Sequence, residues 1–291
     1  MLPLANAPVP EAAAVEASPR RKRKLGFFFI LSLAWVALVI FLAVFASVLP
    51  IPDPNAQKAA INLNPSLHHL LGTDSLGRDM FARVVYAGRV SLTVGFASIA
   101  IGLLIGGAMG VIAGFYRGRI DRVLMAIADV MLAFPALVFA LAIVTFLGQN
   151  LRNVTIAIAV ISIPGIARIV RASTLTFAQR DFVLAARTLG ASNRRIILRE
   201  ILPNVAIPIG AFSFIAVALA IVGEGGLAFL GLSVHAPTAT WGGMINDGRS
   251  FLEDHPALSL IPSAVLFLTV LALNFAGDAL RARFDTKDVS V

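Results

Sequence analysis

Residues 204–232 read NVAIPIGAFSFIAVALAIVGEGGLAFLGL, and Glu224 is the one charged side chain among them. A membrane helix needs roughly 20 consecutive apolar residues at ~1.5 Å of rise each. This run exceeds that length, and it has no polar stripe of the kind a surface helix turns toward water. Working outward, comparable stretches lie near 25–49, 88–114, 122–147, 153–170 and 257–280, which makes six candidate spans in all. The fourth is the weakest, because Arg168 and Arg171 crowd its end, where long side chains can snorkel to the interface. The composition agrees: 58% of the 291 residues are hydrophobic and 14% are charged. A soluble domain is about 45–50% apolar and about 25% charged. The expected fold class is an all-α membrane protein with six transmembrane helices.

The formal charge is +8. A basic chain can signal nucleic acid, but here Lys and Arg fall between the apolar runs, which is the pattern of membrane topology. With the N-terminus inside, the inner segments carry eighteen Lys and Arg and the outer segments six. Both termini are therefore expected in the cytoplasm. Residues 1–24 read as an Ala- and Pro-rich disordered cytoplasmic tail ending in the basic run Arg20–Lys24. A cleaved signal peptide is disfavoured, since the run from Leu25 to Leu49 is long enough to span and no A-x-A-like site follows it. The expected organisation continues with a first span over 25–49, an extracytoplasmic loop over 50–87 and a five-helix core over 88–280. That core includes a cytoplasmic loop at 171–203, and a short tail covers 281–291. Cysteine is absent, which excludes disulfides, thiolate metal sites and a cysteine nucleophile. His68, His69, His235 and His255 show no zinc spacing, so no metal site is expected.

Within the spans, Gly102, Gly106, Gly110 and Gly114 fall four apart and line one helix face, where another backbone can approach closely. That face suits either packing inside the chain or contact with a partner subunit across a pore. Helix breakers occur at Phe134-Pro135, Pro164-Gly165 and Pro208-Ile209-Gly210, in spans three, four and five. Interrupted helices line pathways in transporters. Three carboxylates, Asp129, Glu224 and Asp278, lie within the apolar runs. A charged group at mid-bilayer costs about 2.5–3.5 kcal/mol on insertion scales, so each needs a reason. Asp129 is placed roughly two turns from the inner surface, within reach of water or of Arg122 on the same helix face. Glu224, in Gly223-Glu224-Gly225-Gly226, reads as a flexible point in the outer half. Asp278 reads as interfacial. Asp129, Pro135, Pro164 and Glu224 form the candidate pathway or gate.

Two polar loops carry pattern. In 50–87, Gly72, Thr73, Asp74, Gly77, Arg78 and Asp79 suit an ordered turn, followed by an interfacial amphipathic helix from about Asp79 to Arg89. In 171–203, Phe182, Val183, Ala186 and Leu189 recur at helical spacing, and Gly190 permits a sharp turn. Ser192 can cap a second helix over 193–202, with Ile196, Ile197 and Ile201 on its apolar side, and Pro203 closes it and starts span five. Two short helices with apolar faces and small residues at the tip are shaped to enter a groove on another protein.

At these residues a family becomes recognisable. Ala185-Ala186, Gly190 and Ile201-Leu202-Pro203 resemble the EAA loop of ABC-importer permeases. Leu184 stands where that motif has its glutamate. The stretch from His69 through Gly72-Thr73-Asp74 and Gly77-Arg78-Asp79 to Arg83 resembles the outer-loop signature of C-type oligopeptide and dipeptide permeases. Phe229-Leu230-Gly231-Leu232 with Trp241-Gly242 is similar to that family's segment after the fifth span, and Gly277-Asp278 with Leu280-Arg281 to its C-terminal end.

The resemblance implies a type I importer permease fold in a bacterial plasma (inner) membrane. It implies a homologous B-type permease partner, two ATP-binding-cassette ATPases and an extracytoplasmic peptide-binding protein, with membrane lipid as solvent and no nucleic acid. In the family the loop containing Phe182, Leu184, Ala185, Ala186, Gly190, Ser192, Ile201, Leu202 and Pro203 docks into the ATPase. No G-x-x-x-x-G-K-[ST] pattern occurs in the chain, so ATP and Mg belong to the ATPases, and this chain is expected to be non-catalytic and to bind no cofactor. Oligopeptides or dipeptides are the expected cargo, with glutathione or a nickel chelate as alternatives. A secondary transporter would need repeated halves, and no repeat is evident.

Overall fold

The computed structural model describes residues 27–285, with side chains described through Ala282. The basic tail over 1–24 and the last residues of the C-terminal tail lie outside the described residues. Helix α1, Phe27–Phe45, is apolar all round and buries only Ser32, Val36, Val39 and Ala43, a single stripe along one face. Trp35 Nε1 donates to Thr269 Oγ1 at 3.1 Å, tying this peripheral helix to the last one. Helix α2, Met80–Tyr116, has 37 residues. At ~1.5 Å per residue it is about 55 Å long, well beyond a hydrocarbon core of about 30 Å.

That length corrects one expectation. The separate interfacial helix over 79–89 does not exist; its residues form the first turns of α2. Asp79 caps the helix by accepting from Ala82 N at 2.8 Å. Met80, Ala82, Val84, Val85 and Ala87 are then buried in the protein rather than laid on lipid. The turn out of α2 uses two consecutive left-handed residues, Arg117 at φ 54° and Gly118 at φ 60°.

The third span is broken. Helices α3, Gly118–Leu132, and α4, Ala136–Leu147, meet at 83°. Pro135 has no N–H to donate and restricts Phe134 to extended backbone, so the helix stops there. Helix α5, Leu151–Phe177, and helix α8, Leu202–Phe229, run on through Pro164 and Pro208. Those two prolines therefore do not interrupt their spans. Helix α10, Ala257–Asp285, completes the set. Five helices are long and apolar enough to cross a membrane alone, and the bent α3–α4 pair supplies the sixth crossing. Between spans lie α6, Asp181–Thr188, and α7, Asn193–Ile196, before α8, and α9, Trp241–Gly248, after it.

The most extensive helix contact joins α2 to α5. A Cβ on Gly102 would come 2.8 Å from Ile166 Cδ1, one on Gly106 2.6 Å from Ile163 O, and one on Gly110 2.5 Å from Ala167 O. A Cβ on Gly114 would meet Thr174 Cβ at 2.8 Å. One step further along the same seam, Ser98 Oγ donates to Thr155 O at 2.9 Å. The glycine face is an internal backbone seam, which corrects the alternative of a contact with a partner subunit.

A Gly110→Leu variant has to force two backbones apart, and overpacking of this kind costs typically about 1–3 kcal/mol or more. It is expected to lower the unfolding temperature of the detergent-solubilised chain sharply. Gly107→Leu, where a Cβ meets nothing within 4 Å, is expected to leave it near wild type. Equal melting of the two variants would rule out the seam.

Candidate functional site

Three sites emerge from this frame. The first is the projection between α5 and α8. Helix α6 ends in a Schellman turn: Ala191 N donates to Ala186 O at 3.0 Å and Gly190 N to Arg187 O at 2.9 Å. Gly190 sits at φ +76°, a conformation that side-chain-bearing residues rarely adopt, and the space beside its Cα is open for at least 4 Å. Ser192 caps α7, accepting from Arg195 N at 3.4 Å. Pro203 does start the fifth span, but it does not close the second helix. Residues Ile197–Ile201 form a π turn that leads straight into α8, with Pro203 in the first turn of that helix. Proline there leaves the carbonyl four residues earlier without its usual donor, and the wider turn accommodates the ring.

Val183, Ile196 and Ile201 are buried and seat the projection on the body. The Arg187 guanidinium stacks 5.4 Å above the Phe115 ring at the end of α2. The opposite face is apolar and bare: Leu184 is 64% exposed, Leu189 87% and Leu198 50%. Phe182, Ala185 and Leu202 are also exposed, whereas Ala186 is half-buried beneath the turn. A surface of this kind beside arginines suits docking to another protein.

The second site lies at the other end of the bundle. Thr73 Oγ1 donates to Ala60 O at 2.7 Å and accepts from Leu63 N at 2.8 Å. Asp74 accepts from Leu76 N and Arg78 N at 2.9 Å each, and from Arg78 Nε at 2.7 Å. Arg83 Nε approaches the same carboxylate at 3.3 Å. His69 Nδ1 lies 2.9 Å from Asp79 Oδ2. Gly72 and Gly77 take positive φ and pass so close to Leu63 O and Ala59 O that no side chain fits. The six motif residues thus knot the 59–79 loop onto the start of α2.

Glu224 belongs to this end. It is fully buried inside α8, so it is neither flexible nor facing an open path. Ser233 Oγ donates to its Oε1 at 2.5 Å, and Ser91 Oγ stands 3.5 Å from Oε2. Ser91 Oγ in turn accepts from Trp241 N at 3.1 Å, and Trp241 Nε1 donates to Val84 O at 3.0 Å. The neighbouring glycines serve contact: a Cβ on Gly242 of α9 would come 2.5 Å from the Gly225 Cα. Glu224 therefore joins α8, α9 and α2.

The third site is a polar cleft lined by α3 and α5 near the α6 end. Asp129 does not pair with Arg122; Arg168 Nη2 of α5 donates to its Oδ1 at 2.5 Å. Arg171 holds Asp121 through two bonds, Nε to Oδ1 at 2.5 Å and Nη2 to Oδ2 at 2.6 Å. Arg168 and Arg171 thus point across to α3 instead of snorkelling. Pro135 is exposed at the break and Pro164 is buried. Asp121, Ser91 and Ser233 are neighbours that sequence reasoning misses, and Trp241, singled out there only as part of a motif, proves to be a partner of the Glu224 network. The repeat of Asp121 and Asp129 on one face of α3, opposite Arg168 and Arg171 on α5, is the available signal for the first of them.

A six-crossing helical bundle with one broken span and an exposed helical projection is the build of a membrane permease that works with a partner. Residues 106–287 match the family described as binding-protein-dependent transport system inner membrane component, and the chain belongs to that family. It is 38% identical over 295 residues to the dipeptide transport system permease protein DppC of Alkalihalophilus pseudofirmus, a match covering 99% of this chain and 96% of that one. It is 41% identical over 227 residues to the glutathione transport system permease protein GsiD of Pectobacterium atrosepticum, covering 78% and 75%. An inward-facing structure of the MetNI methionine ABC transporter has a chain with a TM-score of 0.59 and 20% identity, over 70% of this chain and 96% of that one, a likeness of fold. The protein is a multi-pass inner-membrane permease subunit of an ABC importer, with the type I fold.

Replacing Glu224 by Leu strands the Ser91 and Ser233 hydroxyls in a buried setting, at about 1–3 kcal/mol for each unsatisfied group. Glu224→Leu is expected to melt well below wild type in detergent, and Glu224→Gln, which keeps an acceptor, to melt between the two. Unchanged melting of Glu224→Leu would show that the network contributes nothing.

Proposed function

We propose that the chain is the C-type half of a heterodimeric pathway that carries peptides into the cytoplasm. A homologous B-type permease supplies the other half. Two ATPases, which bind and hydrolyse ATP with Mg, dock on the coupling loops of the two permeases, one of them on the α6–α7 projection of this chain, and an extracytoplasmic binding protein delivers cargo at the opposite end. The projection carries the reading: it has one face seated on Val183, Ile196 and Ile201 and another that exposes Leu184, Leu189 and Leu198. Leu184 in the glutamate position makes the proposed contact more apolar than the motif's name implies. Charge supports an orientation with both termini and the projection in the cytoplasm, since the arginines of 168–199 cluster there.

Peptidic cargo is supported by both relatives, one named for dipeptides and one for glutathione. Uptake of peptides of graded length, and of glutathione, by a strain lacking this gene and then complemented with it separates those cargoes. In this mechanism closure of the ATPases moves the projection, and the π turn passes that motion into α8.

Gly190→Trp puts a side chain at a left-handed position on the tip. It is expected to leave membrane insertion and basal ATP hydrolysis intact while uptake falls at least about tenfold, the effect of some 1.4 kcal/mol. Leu189→Asp is expected to reduce ATPase co-purification, because buried interface anchors typically contribute about 2 kcal/mol or more. Normal coupled uptake in both variants would refute the docking role.

A further inference from the structure

The two ion pairs between α3 and α5 are unequal. Asp121 and Asp129 stand eight residues apart on α3, about 12 Å along its axis, so the pairs are stacked one above the other. The Asp121–Arg171 pair, nearer the α6 end, is bidentate, with side chains 17% and 32% exposed. The Asp129–Arg168 pair lies deeper in the span, is made through one nitrogen, and leaves its side chains 58% and 54% exposed. An ion pair that open contributes little to stability, so separating its members is easy. The bidentate pair is the fixed one.

Charged groups within a span turn toward a bundle interior or a water-filled cavity rather than toward lipid. Asp129 lines an open cleft of about 510 Å³ together with Asp121, Arg122, Met125, Ala126 and Arg171, and Arg168 stands just beside that lining, 2.5 Å from the Asp129 carboxylate. Sites for small molecules run from about 300 to 1,000 Å³. The cleft and its deeper pair therefore combine adequate volume, water access, one accessible carboxylate and one accessible guanidinium. Arg122 and Arg171 add further cations, which favours entry of a carboxylate end.

Resting on the reading of the chain as half of a peptide pathway, we propose that Asp129 and Arg168 form an exchangeable subsite for a zwitterionic peptide in the inner part of that pathway. Arg168 takes the peptide's carboxylate, through the planar fork that suits carboxylates. Asp129 takes its ammonium group. Asp121 and Arg171 hold α3 on α5 while the deeper pair opens. The subsite reads only the charged ends of the main chain, so it accepts peptides of differing side chains and passes them on when the pair closes again.

The chain contains no cysteine, so one introduced thiol reports on the cleft. The assembled importer, solubilised with its partners, carries Ala126→Cys or, in a second preparation, Met125→Cys. Maleimide labelling of this chain is followed by mass, with alanyl-alanine or N-acetyl-alanyl-alanine amide as the added probe. Alanyl-alanine is expected to slow labelling several-fold and the blocked peptide to have no effect. Asp129→Asn or Arg168→Gln is expected to raise the alanyl-alanine concentration that gives half-protection at least about tenfold, as loss of one member of a charge pair does. Asp129→Asn and Arg168→Gln should leave ATPase co-purification unchanged, which a purely structural strut holding the projection would not. Equal protection by both probes, no protection by either, or protection unaffected by the two neutralising variants would each overturn the subsite. Failure of the ATPases to co-purify with the unmutated chain would instead overturn the importer assembly itself.

Discussion

Between Gly102 and Gly114, α2 and α5 run so close that one methyl group would strike the facing backbone or side-chain carbons. In lipid there is no hydrophobic drive to join two apolar helices, so close van der Waals contact and interhelical hydrogen bonds do that work. The seam supplies the first along four turns, and the Ser98–Thr155 bond supplies the second. Its consequences extend past the pair. Because α5 is held on α2, Arg168 and Arg171 are presented to α3 at fixed heights, and the start of the α6–α7 projection is fixed relative to Phe115 at the end of α2. Helix α3, the first half of the broken third span, is held to α5 differently, by ion pairs.

The opposite end is fixed by polar contacts. The 59–79 knot and the Glu224 network both terminate on the long first turns of α2. Helix α8 connects the two ends. It begins at the π turn under the projection and ends beside Glu224, with no break at Pro208. A load applied to α6 and α7 therefore has an unbroken helical route to the cluster of α8, α9 and α2. The π turn is the one irregular point on that route, and irregular turns of this kind accompany functional helices.

Much of this is legible in the sequence because the signals are one-dimensional. Apolar length marks the spans, four-residue glycine spacing marks the seam, and Gly190 followed by Ser192 marks the turn and cap. Sequence reasoning fails where the outcome depends on what lies across the helix. Pro135 breaks its span and Pro164 and Pro208 do not, yet a missing N–H and a restricted preceding residue are common to all three. Gly223-Glu224-Gly225-Gly226 reads as a loose segment until α9 is seen lying against Gly225 and Ser233 against the carboxylate. For Asp129 the sequence offers the nearby Arg122, whereas its actual partner comes from a helix thirty-nine positions on. The interfacial helix over 79–89 follows from amphipathicity alone, and its apolar side is in fact covered by protein.

Leu184 shows how the projection can keep its form after losing its acid. The shape rests on a left-handed Gly190, the Ala191–Ala186 hydrogen bond, the Ser192 cap and three buried aliphatic side chains, none of which involves position 184. An acid there would share a helix face with Arg180 and Arg187, four residues before and three after, with no contact needed for folding. Its replacement leaves the element intact and changes only its outer surface. That surface then exposes Leu184 as well as Leu189 and Leu198, and exposed apolar area of this kind is costly in water unless a partner covers it. Loss of the charge thus strengthens the case for a covering partner and shifts the recognition it would use from a charged contact toward burial.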